Sequence, residues 1–200
     1  MTLDTEDLIN SIMQSLGRIR FIRTEDLPGI ELYMDQLTGF IDSRLKNTAR
    51  YQDKEERILT KTMINNYAKN NLLPPPEKKK YNREHILLLI FIYYFKNILS
   101  INDIQRLLGP LTERYYGKKG KMDIAAVYEE ALGLSEKQLD GLKDDVMRKY
   151  EKSQEAFSDL AEGEEKEFLQ TFAFLCMLIL DVYVKKLLIE KIIDGLGDKK

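Results

Sequence analysis

Residues 86–95 read Ile-Leu-Leu-Leu-Ile-Phe-Ile-Tyr-Tyr-Phe, an unbroken apolar run with no polar face at any helical phase. Asn82 before it is a good N-cap, so a helix is expected from Arg83 to about Leu99. A helix that is apolar all round must be enclosed by other helices. The run is about half the length that would cross a bilayer. It therefore demands a shell of amphipathic partners, and the remaining chain is read for them.

Helical spacing supplies that shell. Leu8, Ile9, Ile12, Met13 and Leu16 form a first stripe between Thr5 and Gly17. After Leu27-Pro28-Gly29, a second stripe runs through Ile30, Tyr33, Met34, Leu37, Phe40, Ile41 and Leu45. The polar stretch 47–56 reads as a loop. Thr60 opens a short helix with Met63, Ile64 and Tyr67 on its apolar side and Asn70-Asn71 at its end. Ser100-Ile-Asn-Asp103 is a capping box for a helix carrying Ile101, Ile104, Leu107, Leu108 and Leu111 on one face. Gly117-Lys-Lys-Gly120 is a flexible basic turn and a domain boundary. Two modest helices follow, the second opened by Ser135-x-x-Gln138, and Gly163 precedes a long helix over 164–194, roughly 45 Å at 1.5 Å per residue. Strand-like alternation of useful length is not found. The expected class is all-α, with a C-terminal helical bundle (118–200) containing one long helix, after a middle domain (27–117) and an N-terminal helix and linker (1–26).

The 200-residue chain carries a net charge of −2, unpromising for a nucleic-acid partner. Its distribution points the other way. Between 57 and 83 seven bases face the single acid Glu77, giving +6, while the flanking segments are acidic or neutral. Phe172 onward supplies the only other long apolar run, again too short for a bilayer, and the acidic start lacks the basic region of a signal peptide, so a cytoplasmic protein without a membrane partner is expected.

The residues offer little to an enzyme. His85 is the sole histidine, without a serine, cysteine or acid cluster at motif spacing, and reads as a helix-start contact. Cys176 is the sole cysteine and lies within an apolar run. Glu162, Glu164, Glu165 and Glu167 are explained by the field at the start of the long helix rather than by a metal. The 117–120 turn lacks the Gly-Lys-Ser/Thr of a phosphate-binding loop. No catalytic residue, metal ligand or cofactor is assigned.

The basic segment suits a different chemistry. With Met63, Ile64 and Tyr67 inward, helical geometry turns Lys61, Thr62, Asn65, Asn66 and Lys69 outward. Asparagine can pair bidentately with adenine in the major groove, and threonine can contact phosphate or a thymine methyl. Pro74-Pro75-Pro76 form an extended, semi-rigid connector that presents Lys78, Lys79 and Lys80 to a neighbouring phosphate backbone.

From Thr60 to Leu108 this order resembles a MerR-family winged helix-turn-helix. The likeness is carried by Tyr67-Ala-Lys-Asn-Asn-Leu72-Leu73-Pro74-Pro75, by Tyr81 with His85 at an acidic position and Ile86, Leu89 and Ile92 behind it, and by Ser100-Ile101-x-x-Ile104-x-x-Leu107-Leu108. Leu32-Tyr-Met-Asp-Gln36 and Thr60-Lys-Thr-Met-Ile-Asn-Asn-Tyr67 further resemble a bacterial domain-of-unknown-function family, number 1836. The MerR resemblance implies a dimeric, sequence-specific DNA-binding transcriptional regulator that reads double-stranded DNA. Residues 60–71 would be its recognition helix, with Thr60, Lys61, Thr62, Asn65, Asn66, Lys69, Lys78, Lys79, Lys80 and Arg83 on the DNA. The long helix would join two copies, and the Phe-, Met- and Tyr-rich C-terminal region could take a small apolar effector. The alternative is a non-enzymatic protein-interaction module that keeps the winged-helix fold without binding DNA, a reading favoured by Asn65-Asn66 where the family places Arg-Tyr and by the short wing.

Overall fold

The computed structural model describes residues 9–11, 13, 21–46, 58–118 and 120–197. Most of the first stripe and the whole 47–56 loop lie outside the described residues. The fold is all-α with a long C-terminal helix, apart from one small two-stranded sheet. Helices α1 (Met34–Leu45), α2 (Lys61–Lys69), α3 (Arg83–Phe95), α4 (Ile101–Tyr115), α5 (Ile124–Glu136), α6 (Leu139–Gln154) and α7 (Glu164–Gly197) are joined by strands β1 (Leu32–Tyr33) and β2 (Lys80–Tyr81). The chain divides into two compact units, 21–132 with 190–200, and 1–20 with 133–189.

In the first unit α3 is the centre. His85 and every residue from Ile86 to Tyr93 are buried. Around it pack Leu37, Ile41 and Leu45 of α1, Ile64 and Tyr67 of α2, Ile104 and Leu108 of α4, Ile124 and Tyr128 of α5, and Ile193 near the end of α7. At about 1.5–3 kcal/mol per fully buried large aliphatic side chain, this helix is the largest single source of cohesion in the unit. α5 is held against the 21–27 segment by polar contacts as well. The Tyr128 hydroxyl donates to the Ile22 carbonyl at 2.7 Å, and Glu129 accepts from the Thr24 amide at 2.6 Å.

Local chemistry explains most helix ends. Asn82 caps α3 by accepting from His85 N at 3.1 Å, and Ser100 caps α4 by accepting from Asp103 N at 3.2 Å. Three expectations are corrected. Ile30 and Tyr33 do not belong to the helix stripe: antiparallel pairing of Leu32 with Tyr81 and Tyr33 with Lys80 draws the chain straight, buries Leu32 and leaves Ile30 70% and Tyr33 53% exposed. α3 stops at Phe95 rather than near Leu99, where Ile98 N and Leu99 N both turn back to the Phe95 carbonyl. Ser135 does not open a helix. It sits in the last turn of α5, whose bonding persists through Lys137 N to Gly133 O, and α6 begins at Leu139.

In the second unit α6 packs on α7 through an edge-to-face pair of Tyr150 and Phe174 (5.7 Å) and through Gln170, whose amide donates to the Gln154 carbonyl at 2.6 Å. The far side of α7 is apolar yet exposed at Phe168, Phe172, Leu175, Ile179, Val182 and Tyr183. Among the described residues, no helix is long and apolar enough to cross a membrane. If α3 centres the core, Leu88→Ala will lose about 2–5 kcal/mol of unfolding free energy in urea denaturation, whereas exposed Ile98→Ala stays within about 0.5 kcal/mol.

Candidate nucleic-acid interface

Helix α2 is short and is held rigidly at both ends. On its entry side the Ile58 amide donates to Asp42 of α1 at 2.9 Å, and the Ile58 carbonyl accepts from the half-buried Lys96 ammonium at 3.2 Å. Leu59 is fully buried, and Thr60 caps the helix by accepting from Met63 N at 3.2 Å. On its exit side Asn71 takes the left-handed conformation (φ 55°), Leu72 N reaches back to Tyr67 O at 2.9 Å and Asn71 N to Ala68 O at 3.3 Å. This is a Schellman motif, closed by an asparagine where glycine is more common. Leu72 and Leu73 then bury themselves beside Tyr67.

This anchoring fixes the rotation of α2. Ile64 and Tyr67 point into the core, and Lys61, Thr62, Asn65, Asn66 and Lys69 are exposed, as the apolar spacing predicts. Among the described residues, the side chains of Thr62, Asn65 and Asn66 make no hydrogen bond within the protein, so their donors and acceptors face outward. Lys61 is different: its ammonium pairs with Asp35 in the first turn of α1. That pairing removes part of its charge from the face, and charge counting over 57–83 could not anticipate it.

The lysine loop is a tight hairpin. Lys80 N donates to the Glu77 carbonyl at 2.8 Å, and the two central residues, Lys78 and Lys79, have φ of 48° and 63°. A two-residue turn with positive φ at both positions normally takes Asn-Gly, because an L side chain is strained there by about 1–2 kcal/mol per residue. Here the strain is borne by two exposed lysines. The Lys80 ammonium lies 5.6 Å from the centre of the Tyr33 ring. Since Tyr33 and Asp35 both belong to the entry of α1, Lys80 and Lys61 are gathered about the same helix end. Tyr33, assigned to the core by its spacing, is thus part of the exposed face, and only the strand pairing reveals it.

Arg83 goes elsewhere. Its guanidinium donates to the Thr24 carbonyl and lines a cleft with Glu84 and Lys118. Thr60 serves as a helix cap, although it remains exposed.

Behind the hairpin lies His85, 1% exposed. Its Nε2 is 3.2 Å from the Pro74 carbonyl, and its Nδ1 is 3.1 Å from the Asn82 amide. Nδ1 also lies 2.8 Å from the Asn82 side-chain oxygen, so one edge of the ring meets the proline connector and the other meets the helix cap. The Tyr116 hydroxyl sits 3.1–3.2 Å from both ring nitrogens, and the Asn82 side-chain amide approaches that hydroxyl at 3.3 Å. The histidine that stands at the resemblance's acidic position is the clasp joining the proline connector, the start of α3 and the end of α4. Among the described residues, no group of three or more His, Cys, Asp or Glu side chains could hold a metal ion.

Burial pushes the His85 imidazole below its ordinary range, against a smaller upward pull from the carbonyls of Pro74 and Pro75. The unfolded chain therefore takes up the proton first. The clasp contributes fully above the unfolded value near 6.5, and its contribution is lost as the pH falls through the lower folded value. Glu84, raised mainly by burial, acts in the opposite sense, so wild type minus His85→Gln isolates the effect. The thermal midpoint of the wild type should drop on acidification below pH 6.5 more steeply than that of H85Q, and H85A should lose about 1–3 kcal/mol at neutral pH.

No curated protein and no solved structure matches the chain. Residues 22–131 match the model of a family described as a domain of unknown function (DUF1836). The match spans more than half of the sequence and takes in α1, α2, the hairpin, the His85 clasp, α3, α4 and most of α5, so the chain belongs to the DUF1836 family.

Proposed function

We propose that this protein is a sequence-specific DNA-binding regulator of MerR-like winged helix-turn-helix type, cytoplasmic and non-enzymatic, with α2 in the major groove and the 77–80 hairpin as its wing. The observation that carries the reading is the turn itself. Two lysines occupy left-handed positions that Asn-Gly would fill with less strain, and the exposed face of α2 carries Thr62, Asn65, Asn66 and Lys69, whose polar groups are unspent within the protein. Strain kept at an exposed position calls for a use of the side chains, and a phosphate backbone is the partner that clustered ammonium groups serve best. Asn65 and Asn66 would read base edges, and the lysines would set register and supply salt-sensitive affinity.

A single short helix with one small wing binds weakly, so pairing is part of the proposal. The exposed apolar side of α7, with Phe168 at 67% and Ile179 at 63%, is the surface we assign to a second copy. A small apolar effector would lodge in the same helical region. The alternative, a protein-interaction module, draws on the pairing of Lys61 with Asp35, which lowers the charge of the face.

Genomic fragment selection separates these readings. Wild type should enrich a defined set of fragments, Asn65→Ala should weaken the best of them by about 1–3 kcal/mol, and a triple Lys→Glu variant at 78, 79 and 80 should abolish retention. Asp35→Asn should tighten binding and steepen the salt dependence by about one phosphate's worth, because Lys61 is released. Enrichment by wild type no better than by the lysine variant sinks the regulator reading. Replacing Lys78-Lys79 with Asn-Gly should stabilise the hairpin by roughly 1–2 kcal/mol in thermal unfolding while weakening DNA binding. Sedimentation should show a dimer that Ile179→Glu converts to monomer; a monomeric wild type at micromolar concentration removes α7 as the interface.

A further inference from the structure

The Arg83 cleft is unused by the proposed DNA contact. Its volume is about 340 Å³, within the range of small-molecule sites. It lies entirely within the first unit, between the 24–27 turn, the first turn of α3 and the connection from α4 to α5. Two cations, Arg83 and Lys118, and two carboxylates, Glu84 and Asp123, line it around an apolar floor that includes Leu27 and Leu87. Among the described residues, none of these four charges is within ion-pair distance of another of the four.

Three of these charges are held in place by the backbone. Arg83 donates to the Thr24 carbonyl, one Glu84 oxygen accepts from Gly117 N at 2.9 Å, and one Asp123 oxygen accepts from Ala126 N at 2.8 Å. Each carboxylate keeps a second oxygen, and Lys118 is tied to no acid among the described residues. A ligand of one charge would meet two opposite and two like charges here. A zwitterion can satisfy both signs, with its carboxylate toward Arg83 and Lys118 and its ammonium toward Glu84 and Asp123. The Glu84 carboxyl is pushed up by burial and further by Asp123, a repulsion that a bound ammonium relieves.

We propose that this cleft binds a small zwitterion, a free α-amino acid with an apolar side chain resting on the Leu27 and Leu87 floor. Binding itself is independent of DNA. A regulatory consequence rests on the DNA-binding reading: Glu84 is tethered to Gly117, the next residue after Tyr116, and Tyr116 touches the His85 clasp that holds the proline connector. A ligand that engages Glu84 pulls on the support of the wing.

The test uses the full chain without DNA, so its outcome is separate from that of the fragment selection. Each of the protein-forming L-amino acids is screened by thermal shift at millimolar concentration, and hits are titrated by calorimetry. The expected result is saturable binding, one per chain, by an apolar member of the set. Removing one charge, as in that amino acid's amide or its deaminated acid, should weaken binding about tenfold or more. Glu84→Gln, which keeps the bond to Gly117, and the exposed-site variant Lys118→Gln should each show a comparable loss without lowering the thermal midpoint. The proposal is overturned if no amino acid binds, if either half-charged analogue binds as well as the parent, or if both variants bind as tightly as wild type.

Discussion

The enclosure of α3 is the condition on which the rest of the first unit depends. Its residues from 85 to 93 are buried, so the helix offers no polar side to solvent, and each element around it is there because it covers part of that surface. α1, α2, α4 and α5 each contribute two or more large side chains, the end of α7 contributes Ile193, and the remaining faces of these helices turn outward. The outward face of α2 follows from that packing. Ile64 and Tyr67 must reach α3, so Asn65 and Asn66 must point away from it.

Polar clasps then convert a packed bundle into a shaped surface. Hydrophobic contact alone would leave the segment around Ile58 and the proline connector free to slide. Asp42 and Lys96 pin the first, and His85 pins the second while helping to cap α3. Each is a hydrogen bond to backbone near the core edge, where leaving a partner unmade costs more than making the bond gains. The hairpin inherits its direction from these fixed points and from its pairing with β1. Lys78 and Lys79 are thereby held in strained geometry instead of relaxing into a wider loop.

The same clasps place the proposed DNA-facing surface and the cleft at opposite ends of one short polar chain. Pro74, His85, Tyr116 and Gly117 lead from the wing's support to Glu84 at the cleft wall. Compact packing transmits small displacements along such a chain because its members cannot relax independently. Membership in the DUF1836 family covers this whole arrangement, since the matched residues include every group in it.

Much of this was legible in the residues. The apolar run at 86–95 required a central helix; Thr60, Asn82 and Ser100 marked true helix starts; and Met63, Ile64 and Tyr67 oriented α2, because capping and helical periodicity are local properties of the chain. What periodicity could not give were the effects of residues distant in sequence. Tyr33 has helical spacing from Leu37, yet pairing with Lys80 pulled it into a strand and onto the surface. Ser135 has the spacing of a cap but lies inside a helix that continued past it. Asp35 neutralises Lys61 across 26 positions, and Arg83 turns to Thr24 instead of joining the lysines, since a charge finds whichever partner folding brings within reach. Sequence determined which segments are helices and which faces are apolar; only tertiary structure decided where the charges meet, because that depends on contacts no local pattern encodes.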